Sequence, residues 1–193
     1  VKDLFYTAGI PTEMGCRAYA GYVPDVTADV VARLESVGGI MFGKTVTTEA
    51  AFMVPSKTRN PWNIAHTPGG SSSGSAAAVA AGFVAGALGT QTNGSVIRPA
   101  AFCGIVGYKP SFGQMSARGV MPFSTTLDQP GVFARSVADA AFLASCLTNQ
   151  RSVITPDLRP LRRAPKLPAV RPPVWYLAQP RPRAPYAAAT RRS

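Results

Sequence analysis

The chain has 193 residues, 46% of them hydrophobic, enough for one globular domain that buries about 70% of its unfolded surface. Its net charge of +11 is uneven, since residues 1–150 carry ten Lys/Arg against eight Asp/Glu while residues 151–193 carry ten against Asp157 alone. Three widely spaced cysteines (Cys16, Cys103, Cys146), a single histidine and the lack of any uninterrupted apolar run of ~18 residues argue against a disulfide framework, a His/Cys zinc site and a membrane-spanning helix.

In chain order, Val30, Val31, Leu34 and Val37 recur at helical spacing behind Asp25 and Thr27, and the pattern stops at Gly38-Gly39, which predicts an amphipathic helix over 28–37. A short apolar strand is expected over 39–45, and a further helix is expected to begin over 48–52. Residues 57–73, with two prolines, Trp62 and a Gly/Ser run, read as loop, and 75–81 as a helix built from alanine, whose small side chains allow close approach to a sheet. Buried strands are expected at 85–90 and 104–108, flanking a turn at Ser95, and a serine-capped helix at 136–147. The helix-to-strand rhythm is that of an α/β protein.

Residues 151–193 are expected to form a basic, Pro/Arg-rich connector followed by the start of another strand and helix, with 1–150 as the domain core. A tail holding nine of the eleven net charges would suit phosphate neutralisation on nucleic acid or an anionic membrane surface. It lacks interleaved stacking aromatics and any known nucleic-acid module, so a solvated connector is the preferred reading and nucleic acid is disfavoured.

Two motifs compete for the chemistry and fail on context. Residues 38–45, GGIMFGKT, satisfy G-x-x-x-x-G-K-[ST], but a phosphate loop needs a strand before and a helix after, and the order here is reversed. Lys44 is therefore expected to be structural. Residues 70–74, GSSSG, fit the nucleophile elbow G-x-S-x-G around Ser72, yet the preceding segment is loop and the one histidine, His66, lies upstream where that fold needs it downstream. A flexible Gly/Ser linker is disfavoured by the alanine helix and buried strand that follow.

What remains are two Gly-Ser turns, at Ser71 and Ser95, each opening onto small apolar residues. Such turns can present a hydroxyl and several backbone N–H groups to one cavity, which is what acyl transfer needs for a nucleophile and an oxyanion site. The stretch 69–107 resembles the amidase signature family, serine hydrolases with a Ser-Ser-Lys triad. Ser95 follows Ser71 by 24 positions, the chain opens on Val1-Lys2-Asp3, and similarity continues through KTRNPWN, FCGIVGYKPS and LDQPGVFARSVADAA.

The resemblance implies an α/β amidase-signature fold, a mixed central sheet with helices on both faces, here truncated at both ends. It implies hydrolysis of the carbon-nitrogen bond of a linear carboxamide through an acyl-enzyme on Ser95, with Ser71, held in a cis peptide, passing the proton and Lys2 as the base. Thr92, Asn93, Gly94 and Ser72 would form the oxyanion and substrate-binding set. A small-molecule amide is the expected substrate, no metal or organic cofactor is required, a homodimer is allowed, and a cytoplasmic setting is the default. The alternatives are an inactive fragment and an amidotransferase A-type subunit.

The chain departs from the family at Gln91-Thr92-Asn93-Gly94-Ser95, where Asp-x-Gly-Gly-Ser is usual, and at Arg98, one place later than the usual arginine. Asn93 is expected to support positive φ, Arg98 either anchors the loop by a salt bridge or faces solvent, and Asp128 lies near the substrate cleft or caps its turn. A lysine titrating near ~10.4 would be neutral in roughly one molecule in 2,500 at pH 7, so Lys2 must be buried to act. Its position beside the chain end is expected to hinder that.

Overall fold

The computed structural model describes residues 1–148; the expected connector, strand and helix of 151–193 lie outside the described residues. Among the described residues there are four α-helices and three strands: α1 (Asp29–Ser36), α2 (Ser73–Ala80), β1 (Gly86–Gln91), α3 (Ile97–Cys103), β2 (Val106–Tyr108), β3 (Gln129–Ala134) and α4 (Val137–Leu147). The strands form an antiparallel sheet in the order β1-β3-β2.

Alternation along the paired strands creates two cores. Leu88 of β1 sits opposite Val132 of β3, and both pack with Ala134, Phe5, Val30 and Val31 beneath α1 and α4. Ala87 sits opposite Phe133, and these face the other way, toward Ala76 and Val79 of α2 and Ala100 and Cys103 of α3. The sheet thus carries helices on both faces, as an α/β architecture requires.

The helices over 28–37, 75–81 and 136–147 and the strand over 85–90 appear within one or two residues of the expected bounds. Ser136 accepts a hydrogen bond from the Asp139 backbone N–H, the cap expected of it. The second strand is shorter than expected and half-buried.

Residues 39–45 are not a strand. The described backbone offers this segment a single parallel bridge, Lys2 to Thr45, and Ile40 and Phe42 are 91% and 83% exposed. An apolar run becomes a strand only where a ladder partner exists, and the sequence pattern cannot report one. Residues 48–52 likewise form only a short 3-10 turn, Glu49–Ala51, broken by positive φ at Ala50 and Ala51.

The completely buried central strand β3 contradicts its own composition, with Pro130 and Gly131 inside it. Proline is tolerated because β2 pairs only with Val132–Ala134, which leaves Pro130 with a neighbour on one side alone. A Cβ on Gly131 would lie 2.6 Å from the Tyr108 carbonyl, so glycine there allows the strands to close.

Lys44 ties the first loops together. Its ammonium pairs with Asp3 at 3.2 Å and donates to the Phe5 carbonyl at 2.7 Å, Thr7 Oγ1 at 3.1 Å and Thr12 Oγ1 at 2.8 Å. Lys44→Ala would strand a carboxylate and three acceptors at a largely buried site, and is expected to cost about 3 kcal/mol in chemical denaturation.

Candidate active site

Lys2 is placed by backbone on both sides: its N–H donates to the Leu88 carbonyl of β1 at 3.1 Å, and the Asp3 N–H donates to the Thr45 carbonyl at 3.0 Å. This pins the side chain under the sheet edge, where it is 0% exposed. Nζ lies 2.7 Å from Ser71 Oγ and 2.7 Å from Thr90 Oγ1. Burial pulls its pKa from 10.5 down to about 7, partly opposed by the negative charge of Asp128. The expectation that a position beside the chain end hinders this burial is thereby corrected: the flanking backbone bonds hold Lys2 inside.

The Gly70–Ser71 peptide is cis, and Gly69 before it has φ of +78°. The Ser71 carbonyl accepts from the Thr48 N–H and from Thr47 Oγ1, each at 3.1 Å, which fixes the turn from behind. The next turn is fastened to the first one, because the Ser72 N–H donates to the Ser95 carbonyl at 3.3 Å. Lys2, Ser71 and Ser95 are therefore gathered at one end of β1, with Ser95 itself nearly enclosed.

Ser72 does not fit the substrate-binding role expected of it. It is completely buried and donates its hydroxyl to the Thr90 carbonyl at 3.3 Å, so it braces β1 from within. Gly89 makes room for this, since a Cβ there would lie 2.7 Å from Ser72 Oγ.

Thr92, Asn93, Gly94 and Ser95 form the turn between β1 and α3. Among the described residues the non-glycine positions with positive φ are Met14, Ala50 and Ala51, so Asn93 does not serve the turn in the way expected of it. Gln91 does more than substitute for an aspartate: its Oε1 accepts from the Val96 and Ile97 N–H groups at 2.9 and 3.0 Å, capping α3 just behind Ser95. No acceptor among the described residues takes the N–H of Asn93, Gly94 or Ser95, which leaves three backbone donors in one turn beside a serine hydroxyl.

Arg98 enters no ion pair among the described residues. Its guanidinium is exposed, 3.4 Å from the Gly70 carbonyl, and lies so close over Gly94 that a Cβ there would sit 2.6 Å from Nη2. His66 is exposed in the loop before the first turn, its backbone bonded to Asn60 and Asn63.

A cavity of about 210 Å³ opens beside this cluster, lined by Thr90, Thr92, Asp128, Phe112, Met121 and Phe123 among others. Motif reading did not find Thr90, which no pattern distinguishes from any strand threonine, nor the bond from Thr92 Oγ1 to Asp128. Asp128 also caps its turn, as one of its two sequence readings anticipated, accepting from the Phe123 and Ser124 N–H groups. Among the described residues no cluster of three or more His, Cys, Asp or Glu is placed to hold a metal, and no helix is long and apolar enough to cross a membrane.

The family model described as Amidase matches residues 1–171. The chain is 50% identical over 149 residues to the A-type subunit of glutamyl-tRNA(Gln) amidotransferase from Anaeromyxobacter dehalogenans, a match covering 74% of this chain and 30% of that protein. Among solved structures it is similar to the corresponding glutamyl-tRNA(Gln) amidotransferase protein of Thermotoga maritima, with TM-score 0.73 and 41% identity over 77% of this chain and 34% of that one. It is likewise similar to the native peptide amidase of Stenotrophomonas maltophilia, with TM-score 0.72 and 37% identity over 87% and 35%. The chain spans about a third of the length of the relatives it matches.

Proposed function

The chain belongs to the amidase family and has an amidase-signature α/β fold, and from that premise we propose that it contributes the reacting groups for hydrolysis of a linear carboxamide. The observation that carries this reading is the buried Lys2, whose amine lies 2.7 Å from Ser71 Oγ with its pKa pulled down to about 7. At neutral pH such an amine is free of its proton in about half the molecules, against roughly one in 2,500 for an unperturbed lysine.

In this mechanism Ser95 Oγ attacks the amide carbon while its proton passes to Ser71, whose own proton moves to the Lys2 lone pair. Negative charge develops on the carbonyl oxygen, where the N–H groups of the 93–95 turn are the donors at hand. Removing one such donor typically costs 10²–10³ in rate, about 3 kcal/mol. The Lys2 ammonium then returns a proton through Ser71 to the nitrogen as the C–N bond breaks. Water attacks the acyl-Ser95 ester by the same relay, releasing the acid.

Fluorophosphonate labelling of the whole chain, beside Ser95→Ala and with ammonia or amine release measured on simple amides, tests this. His66→Ala is expected to leave labelling and turnover within about twofold, because an exposed loop imidazole has no part in the relay. A large loss there would replace the Ser-Ser-Lys assignment with a histidine base.

A second reading is favoured by the relatives named as glutamyl-tRNA(Gln) amidotransferase components: ammonia would be released from glutamine for transfer to a charged tRNA, with further protein partners required. Ammonia release from glutamine that depends on those added partners would support it, whereas turnover of simple amides by the chain alone would favour the hydrolase.

A further inference from the structure

The last paired positions of β1 and β3 are Gln91 and Gln129, so the register sets Thr92 opposite Asp128 just where the Ser95 turn leaves the sheet. Their side chains extend the ladder by one step: Thr92 Oγ1 donates to Asp128 Oδ1 at 2.5 Å. The other carboxylate oxygen accepts from the Phe123 and Ser124 N–H groups at 2.6 and 2.7 Å. One half-buried carboxylate therefore holds two pieces of chain that both line the 210 Å³ cavity, the base of the Ser95 turn and the 123–124 lip. Both oxygens are engaged by donors within the protein, so the group is set up to hold geometry and not to bind a cation.

We propose that Asp128 is a positioning residue for amide hydrolysis: by gripping Thr92 and the 123–124 lip together, it fixes the N–H groups of the Ser95 turn against the cavity that receives the acyl group. This rests on the hydrolase reading above. It separates holding from chemistry, since the hydrogen bonds of Asp128 run to Thr92, Phe123 and Ser124 and set where the turn between β1 and α3 begins. It also accounts for a bonded polar pair in the wall of a cavity that Phe112, Met121 and Phe123 help to line. An apolar pair there would give no directional link between turn and lip.

The test is the rate of fluorophosphonate labelling at Ser95 across pH for the whole chain and for Asp128→Asn, Thr92→Val and the double variant, each with a thermal melt. Labelling needs an activated serine and an oxyanion site but no knowledge of the natural amide. Each single variant is expected to label about tenfold more slowly, and the double no more slowly than the worse single, as for two partners in one interaction. The acid limb of the Asp128→Asn profile should lie at lower pH than that of the wild type, because Asp128 raises the Lys2 pKa against the larger effect of burial, while Thr92→Val keeps the charge and leaves the limb in place.

Single variants within about twofold of wild type, effects that multiply to about a hundredfold, or an unmoved limb in Asp128→Asn would each overturn the proposal and leave the hydrolase reading standing. Should Asp128→Asn fail to melt cooperatively, Thr92→Val alone decides, by its rate. Absence of labelling in the wild type would overturn the hydrolase reading, and this proposal with it.

Discussion

Ser95→Ala is expected to remove fluorophosphonate labelling altogether and to lower amide turnover by about a millionfold, the loss seen when one member of a serine relay is deleted and only binding and the oxyanion site remain. The size follows from what the hydroxyl does: the other hydroxyl on the 92–95 turn, Thr92 Oγ1, is tied to Asp128, and Ser71 is held back by its short contact to Lys2. Stability should hardly change, because the structural tie at Ser95 is its carbonyl, which accepts from the Ser72 N–H and survives the substitution. A cooperative melt with labelling lost is thus the expected pair of results. Labelling that persists in Ser95→Ala would move the nucleophile elsewhere, with Ser71 the first place to look.

The positions proposed for this chemistry were legible because backbone geometry restricts them. A glycine before Ser71 and another before Ser95 leave a recognisable spacing, and Gly74 and Gly89 mark close approaches that a Cβ would block at 2.6 Å. The helices were legible too, α4 from its serine cap and α1 from its apolar spacing, although the α1 N-cap is Ala28 and neither Asp25 nor Thr27 caps it. What failed were features that depend on a distant partner. Residues 39–45 have a strand's composition but one bridge, and β3 has a loop's composition yet is enclosed by β1, β2 and both helical layers. Thr90, Gln91 and Asp128 gain their roles from register alone: Thr90 because Lys2 reaches it across 88 residues, Gln91 because α3 begins above it, Asp128 because it falls opposite Thr92. The same applies to Ser72, expected in the substrate-binding set, whose hydroxyl is turned into the sheet.

Lys2→Met tests the base and the fold in one variant. Turnover should fall by about 10⁴-fold, at the upper end of what a positioned base contributes, since neither Ser71 nor Thr90 can accept the proton in its place. In the wild type, kcat/KM should rise with pH and level off above about 7, as burial leaves the Lys2 amine unprotonated. Stability carries the same titration with a definite sign. The folded chain holds Lys2 at about 7 and the unfolded chain at 10.5, so between those values the unfolded state binds the extra proton and wild-type stability rises with pH. Below about 7 the folded state must bury an ammonium and the full cost is present. Methionine removes that dependence while keeping most of the volume, though it leaves the Ser71 and Thr90 hydroxyls without their shared partner. The melting temperature of the wild type relative to Lys2→Met should therefore increase from pH 6 to pH 9. Since every other titrating group is common to both chains, the difference isolates Lys2. A difference flat across that range, with turnover retained, would mean that Lys2 keeps its proton when folded and that the base lies elsewhere.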